Sequence, residues 1–328
     1  MHTNAKSIDE AVAAHATGAE FRAGGTDVQE RIRSGNLSLP LIDIGAISGL
    51  NKIEFHESGA TVGALTDLTT LSGHARLQQD YPALTLPTQT LATPQIRNFA
   101  TLGGALCQRS RCWYFRHPEL GCPKKGNSDT CTAREGNHER GVCFDLGPCV
   151  APHPSSVGCA LLTYDAQIEV TGRGRISVAE LFGDGSDATR DHTLEKGQMI
   201  THIQLPKPME NEKAAYYRMM SRKWAEWPAV EVVARLKLEG ETITDAKVAI
   251  GAVANIPLRL TEVEELLVGA PANDKTFQSA AQISVARANP LPQTGHKLKM
   301  VVASVFHTLQ QRSQQRDRAN RPTESQRV

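Results

Sequence analysis

The stretch from Cys107 to Val150 excludes most of what a chain of this length can fold into. It is rich in Cys, Gly, Pro and charge, and it sustains neither a period of 2 nor one of 3.6. More than forty residues without regular structure inside a compact domain require a reason, and a bound cofactor supplies one. All seven cysteines lie between Cys107 and Cys159. An odd count forbids complete pairing within the chain, and structural disulfides in a protein this large would tie distant segments together. One crowded segment reads instead as a metal site in a reducing compartment.

The seven thiols are separated by four, nine, eight, eleven, five and nine residues. None of these spacings is the tight CxxC pair of zinc ribbons. Four widely spaced thiolates can still converge from separate turns on one compact iron–sulfur cluster. Gly121 and Pro123 flank Cys122 and Pro148 precedes Cys149, so sharp reversals are available there. From Arg109 to Arg140 seven basic residues face four acidic ones. A basic surround offsets the negative charge of a four-cysteinate cluster. An iron–sulfur cluster, a zinc site and scattered buried thiols all remain open on the residues alone. Cys107 and Cys159 sit in apolar surroundings, GALC and GCALL, and read as core thiols.

Around this stretch the chain has ordinary periodicity. SIDEAVAAHA starts on a Ser cap with acids in its first turn and reads as a helix, as does VQERIRSG, which stops at Gly35. LPLIDI, ATVGAL and AQIEVTG carry strand patterns, while LTDLTTLSGHARL and DYPALTLPTQTL read as helical in spite of two prolines. SSVGCALLTYDAQIEV is a helix running into a strand. A second region opens near residue 195: MITHIQLP, AYYRMM, VEVVARLKLEG and TDAKVAIGAVAN read as antiparallel strands. TEVEELLVG and a helix through KMVVASVFHTLQQR close it. The tail over residues 311–328 is polar, lacks aromatics and is expected to be disordered.

Two glycine pairs lie near strand-like stretches, AGGTD at Ala23–Asp27 and ATLGGAL at Ala100–Leu106. Glycine lets the backbone approach a ligand, and successive free N–H groups make a concavity suited to phosphate. Thr26 and Thr101 add hydroxyls. Taken singly, a Gly–Gly pair is more often a plain tight turn, and neither matches GxGxxG or the P-loop. No Ser/His/Asp or paired-carboxylate set stands out. His138, His153 and His296 are scattered, with His153 between the cysteine stretch and the following helix. Trp224 and Trp227 beside Lys223 read as core, or as a stretch facing a flavin ring.

A net charge of +1 provides no field to steer a polyanion, so nucleic acid is not an expected partner. No apolar run reaches bilayer length, and membrane insertion is not expected. MHTNAKSIDEAVAA lacks a signal pattern. A cytoplasmic location is therefore expected, or a periplasmic one if the chain is exported with a signal-bearing partner subunit.

Taken in order, these segments resemble the FAD-binding medium subunit of the xanthine dehydrogenase and molybdenum hydroxylase family over about residues 7–310. FRAGGTDVQERIR is similar to the first flavin loop of that family and PQIRNFATLGGAL to the second. HPSSVGCALLTYDAQIEV is similar to the helix and strand that close the flavin domain, and AKVAIGAVANIPLR and ANPLPQTGHKLKM to parts of the C-terminal domain. The cysteine insertion, opening with RSRCWYF, resembles that of a subgroup with an extra [4Fe-4S] cluster, the periplasmic aldehyde oxidoreductases and 4-hydroxybenzoyl-CoA reductase. The sequence departs from the family pattern at Ala105, where Asn is usual, at Ser156, where Asp is usual, and in a shortened first strand.

The resemblance implies an α+β fold. A two-subdomain FAD-binding domain of the PCMH type over residues 1–175, with the cluster loop at 107–150, would precede a smaller α+β domain like the CO dehydrogenase flavoprotein C-terminal domain over 190–310. FAD would lie extended between these parts, both glycine turns near its diphosphate, with contacts from Arg22, Ala23, Gly24, Gly25, Thr26, Asp27, Val28, Thr101, Gly103, Gly104, Ser155, Asp165 and Lys223. The cluster ligands would be Cys112, Cys122, Cys131 and Cys149, leaving Cys143 without a counterpart. Electrons would pass between [2Fe-2S] centres on a small partner and an external acceptor at the flavin. Substrate would react at a molybdenum cofactor on a large partner, most closely as in an aldehyde oxidoreductase, alternatively as in a 4-hydroxybenzoyl-CoA reductase. Two rivals stand beside this reading: a stand-alone FAD-dependent oxidase and a zinc-stapled scaffold subunit.

Overall fold

The computed structural model describes residues 2–37, 40–222 and 226–319. They form three units, each built on its own sheet. The first alternates strand and helix: β1 (His2–Asn4), α1 (Ile8–Ala16), β2 (Glu20–Arg22), α2 (Val28–Arg33) and β3 (Leu41–Asp43). All pairs in its sheet, ordered β1-β3-β2, are parallel, as helical crossovers require. Helix α1 starts where the sequence indicates, with the Ser7 side chain accepting from the Glu10 N–H. It buries Ala11 against Ile42, Ile44 and Leu50.

The second unit contains β4 (Ile53–His56), β5 (Gly59–Gly63) and the helices α3 (Leu68–Gly73), α4 (Ala75–Asp80), α5 (Pro82–Thr90), α6 (Pro94–Arg97) and α7 (Leu102–Leu106). The cysteine stretch follows, with only the one-turn helices α8 (Trp113–Arg116) and α9 (Thr132–Glu135) and a short 3-10 turn at Pro123–Lys125. Then come α10 (Ser156–Thr163), β6 (Gln167–Val170), β7 (Gly174–Ser177), α11 (Val178–Phe182) and β8 (Ile200–Pro206). The sheet is antiparallel, ordered β4-β5-β8-β6-β7.

One expectation fails here. The strand pattern of MITHIQLP suits the opening of a C-terminal domain beyond a boundary at 175–190, yet β8 lies in the middle of the flavin-domain sheet, between β5 and β6. Its buried side chains Ile203 and Leu205 join Val62 and Ile168 in that core. The strand pattern is the same in either place; only the partner differs. The boundary therefore falls after Pro206.

The third unit is an antiparallel meander of β9 (Lys213–Met219), β10 (Val230–Glu239), β11 (Thr242–Gly251) and β12 (Leu258–Arg259). It carries α12 (Thr261–Leu267), α13 (Asp274–Ile283) and α14 (His296–Ala319). Val232, Val248, Phe277, Val301 and Val305 make the core on the helix-covered face. The other face packs on the second unit, where Val233 and Ala249 join its core. With both faces covered, VEVVARL reads as an unbroken buried run in place of an alternating one. Helix α14 continues to Ala319, past residue 311 where the disordered tail was expected. Gln and Arg there are good helix formers. Residues 320–328 of that tail, and the expected flavin contact Lys223 with its neighbour Trp224, lie outside the described residues. The content is α+β, as expected.

Candidate flavin and cysteine-loop site

The first glycine turn joins β2 to α2, and the second lies at the start of α7. They are side by side. A Cβ on Gly24 would fall 1.6 Å from the Phe99 carbonyl oxygen, so the first turn lies on the backbone that leads into the second. Gly25 takes a φ of +73°, which L side chains rarely adopt. Among the described residues the N–H groups of Gly24, Gly25 and Thr26 have no protein acceptor. The second turn differs from the expected open concavity. Leu102 N–H donates to Thr66 O (2.9 Å), Gly103 N–H to Ala64 O (2.8 Å) and Gly104 N–H to Thr101 Oγ1 (3.2 Å). Gly103 is required for packing, because a Cβ there would lie 2.9 Å from the Ala64 Cβ.

The other expected flavin residues divide into free and engaged. Thr26 is exposed and Ala23 half-buried, while Val28 is buried. Arg22 is ion-paired with Asp43. Asp27 accepts from Arg116 Nη2 at 2.8 Å and lies 3.0 Å from Arg111 Nη2, both from the cysteine loop. Ser155 caps α10, its hydroxyl accepting from Gly158 N–H at 3.0 Å. Asp165 sits beyond the other end of the same helix, paired with Arg259 at 2.7 Å. Ten residues at helical rise put these two about 15 Å apart.

Four of the seven cysteines converge. Cys112, Cys122, Cys131 and Cys149 line one small cavity of about 10 Å³, together with Phe115, Lys124 and Ala151. Burial pushes the thiols of Cys112 and Cys122 up, and that of Cys149 to about 11. The other three lie elsewhere. Cys159 and half-buried Cys107 pack in the second unit's core, whereas Cys143 is in the third unit's core with its N–H donating to Val253 O at 2.8 Å. Among the described residues no group of three or more His, Cys, Asp or Glu side chains is arranged to hold a metal ion.

A buried ion network lies against the same cavity. Asp191 approaches Arg109 Nε at 2.6 Å and Lys124 Nζ at 2.9 Å, and accepts from Ser110 N–H at 3.3 Å. The side chains of Lys124 and Asp191 are 3% and 4% exposed. Burial opposes the charge on Asp191, but Lys124 and Arg109 outweigh it and hold the carboxyl well below its usual range. His153 and His192 flank this group. Burial lowers each to about 4, so both are neutral at pH 7. His153 Nδ1 accepts from Ser155 N–H at 3.2 Å, its ring meets Phe182 edge-on, and its buried Nε2 has no partner. Nothing in the local sequence DGSDATRDH marks Asp191, and sequence reasoning missed it.

Residues 2–208 match the model of the FAD binding domain in molybdopterin dehydrogenase, and residues 215–306 that of the CO dehydrogenase flavoprotein C-terminal domain. The chain belongs to the FAD-binding medium subunits of the xanthine dehydrogenase and carbon monoxide dehydrogenase family. It is an FAD-binding oxidoreductase subunit. Over 301 residues it is 33% identical to the aldehyde oxidoreductase FAD-binding subunit PaoB of Escherichia coli, covering 88% of this chain and 91% of that one. It is 25% identical to the nicotinate dehydrogenase FAD-subunit of Eubacterium barkeri, covering 82% of this chain and 80% of that one. A solved chain of the carbon monoxide dehydrogenase from Hydrogenophaga pseudoflava shares the fold, with a TM-score of 0.74 at 22% identity and 95% and 96% of the two chains covered.

The gap between the two matched regions of this medium subunit falls just after β8, where the sheet also places the boundary. The residues present fit an FAD. The first turn offers unpaired N–H groups beside exposed Thr26, and the two turns are packed too tightly to admit side chains at Gly24 in the first and Gly103 in the second. His153 brings a buried ring nitrogen without a partner to the N-terminal end of α10.

Proposed function

We propose that this medium subunit carries FAD and one [4Fe-4S] cluster and relays electrons within a heteromeric molybdenum hydroxylase of the aldehyde oxidoreductase type. A small partner subunit would bear [2Fe-2S] centres and a large one the molybdenum cofactor, with an external acceptor served at the flavin. The observation that carries the cluster is the convergence of Cys112, Cys122, Cys131 and Cys149 on one cavity while the other three cysteines pack elsewhere. Thiolates alone as donors suit iron–sulfur chemistry. The cavity as it stands has room for about one water, so the four thiols would ring the cluster only after turning outward. The likeness to the FAD-binding subunit of an aldehyde oxidoreductase supports the choice within the family.

FAD, when bound, supplies the exchange between one- and two-electron steps. The chain's own residues bind and orient it. The free N–H groups of Gly24, Gly25 and Thr26 would hold the diphosphate, since aligned amide dipoles favour negative charge. Phe182 fixes the His153 ring, and the Ser155 N–H holds its Nδ1 as an acceptor, so Nε2 carries the proton and serves as a donor. Asp27, through Arg111 and Arg116, couples the flavin turn to the cysteine loop.

The test is iron and flavin content in single Cys→Ser variants of the anaerobically purified complex, with flavin bleaching by a panel of aldehydes. Loss of about four irons at positions 112, 122, 131 and 149, and retention at 107, 143 and 159, is expected. Bleaching should need the partner subunits; bleaching by an organic substrate with this chain alone would favour a stand-alone oxidase and sink the proposal.

A further inference from the structure

The Lys124–Asp191–Arg109 group is not explained by stability. Replacing a buried ion pair with apolar side chains is often neutral or favourable, because desolvation costs about as much as the pairing returns. Lys124 nevertheless keeps its side chain 3% exposed, with Nζ at 2.9 Å from Asp191, and it is one of the residues lining the cavity that the four cysteines share. Its ammonium also donates to the Arg190 carbonyl, and Arg109 spans from Asp191 to the Lys124 carbonyl at 3.4 Å. Two cations against one carboxylate leave a net charge of +1 on this group. Of the other charges near these thiols, Arg134 forms a bidentate pair with Asp145 at 2.9 and 2.7 Å. Lys125, beside Cys122, donates to the His117 and Pro118 carbonyls and adds a second cation outside the Asp191 group. His153 and His192 add no charge at neutral pH.

We propose that Lys124 sets the reduction potential of the cysteine-cavity centre, and that Asp191 is the positioning residue that both holds Lys124 there and moderates its charge. This rests on the reading of the cavity as a [4Fe-4S] site. Reduction adds one electron, and so one negative charge, to the cavity. A fixed buried cation stabilises that added charge, and a fixed buried anion opposes it. The placement also ties the potential to the segment 183–199, which delivers Asp191 from the sheet of the flavin domain, so the centre is tuned by the domain that holds its redox neighbour.

The experiment is a redox titration, followed by electron paramagnetic resonance, of the full complex with Lys124→Gln, Asp191→Asn and both together. The group's net charge is +1 in the natural protein, 0 in Lys124→Gln, +2 in Asp191→Asn and +1 again in the double variant. Lys124→Gln should lower the potential and Asp191→Asn raise it. Each should change the ratio of oxidised to reduced centre at least tenfold at fixed poise, about 59 mV for one electron. The double variant should return close to the natural value. Both single variants moving the same way, or neither moving, overturns the proposal. Should Lys124→Gln lose iron, Lys124→Arg decides: iron retained near the natural potential supports the charge role, and iron lost there too overturns it. A natural complex without iron refutes the cluster reading itself, whereas iron present with unmoved potentials refutes only the tuning role.

Discussion

At the scale of single residues, the two glycine turns look alike in sequence but are glycine for different reasons. Gly24 has a backbone oxygen where a Cβ would go, 1.6 Å away, and backbone cannot step aside cheaply. Gly104 is exposed and faces only the Thr101 hydroxyl at 3.0 Å, the end of a small side chain. Gly24→Ala should therefore displace the first turn from the Phe99 carbonyl in the turn after α6. It should cost about 1–3 kcal/mol and leave protein with several-fold less FAD. Gly104→Ala should keep both flavin and stability nearly unchanged. The FAD-to-protein absorbance ratio and the thermal midpoint measure both, and a yellow, fully stable Gly24→Ala protein would refute this account of the turn.

At the scale of elements, α2 and α8 are held together by charge. Asp27, in front of α2, and Glu30, within it, accept from Arg111 and Arg116, so the flavin turn and the cysteine loop share one ion-pair network. Arg111 also lies over the Trp227 ring at 4.6 Å and Asn36 donates to the Arg116 carbonyl, which joins the loop to the third unit and the first. The Arg116 side chain is 10% exposed and that of Asp27 16%, burial enough for the pair to count for more than a surface bridge. Asp27→Asn and Arg116→Gln should each cost about 1–3 kcal/mol. The double variant should cost much less than their sum, since residues in one network couple. Hydrogen exchange over residues 109–117 should quicken in all three. Strict additivity in the unfolding free energies would show that the two side chains act independently.

At the scale of the whole molecule, buried imidazoles set an acid limit. His153 and His192 titrate near 4 in the fold against 6.5 for an unperturbed ring, lowered above all by burial. Between those values the unfolded chain binds more protons than the folded one, so stability rises with pH up to about 6.5 and is lost progressively as pH falls toward 4. The loss is at most about 3 kcal/mol for each ring, at about 1.36 kcal/mol per pH unit. Glu231, raised by burial, runs the opposite way and takes up its proton in the fold. From pH 7 to 5 the two rings should therefore contribute a fall in unfolding free energy with a slope approaching two protons, which Glu231 partly offsets. His153→Gln and His192→Gln should each remove about one. A slope unaltered by both substitutions would place the acid sensitivity elsewhere.

Local patterns in the sequence were enough for the local structure. The Ser7 cap, the strand alternation before Gly63 and the long apolar face of α14 each depend on neighbours within a few residues. That one crowded segment holds every cysteine was also legible, but which four of the seven line one cavity was implied only by the resemblance to the family, not by the spacing. What partners each element takes was not legible. The pattern of β8 says that one face is buried but not against which sheet, and it went to the flavin domain. The second glycine turn read as a set of free N–H groups, but Thr66 and Ala64, some forty residues earlier, accept two of them. Asp191 has no local mark at all, because its charge is held by Arg109, 82 residues away in the chain, and by Lys124. Periodicity and capping are written within a turn or two of backbone, whereas the partner of a buried charge exists only once the whole chain has closed around it.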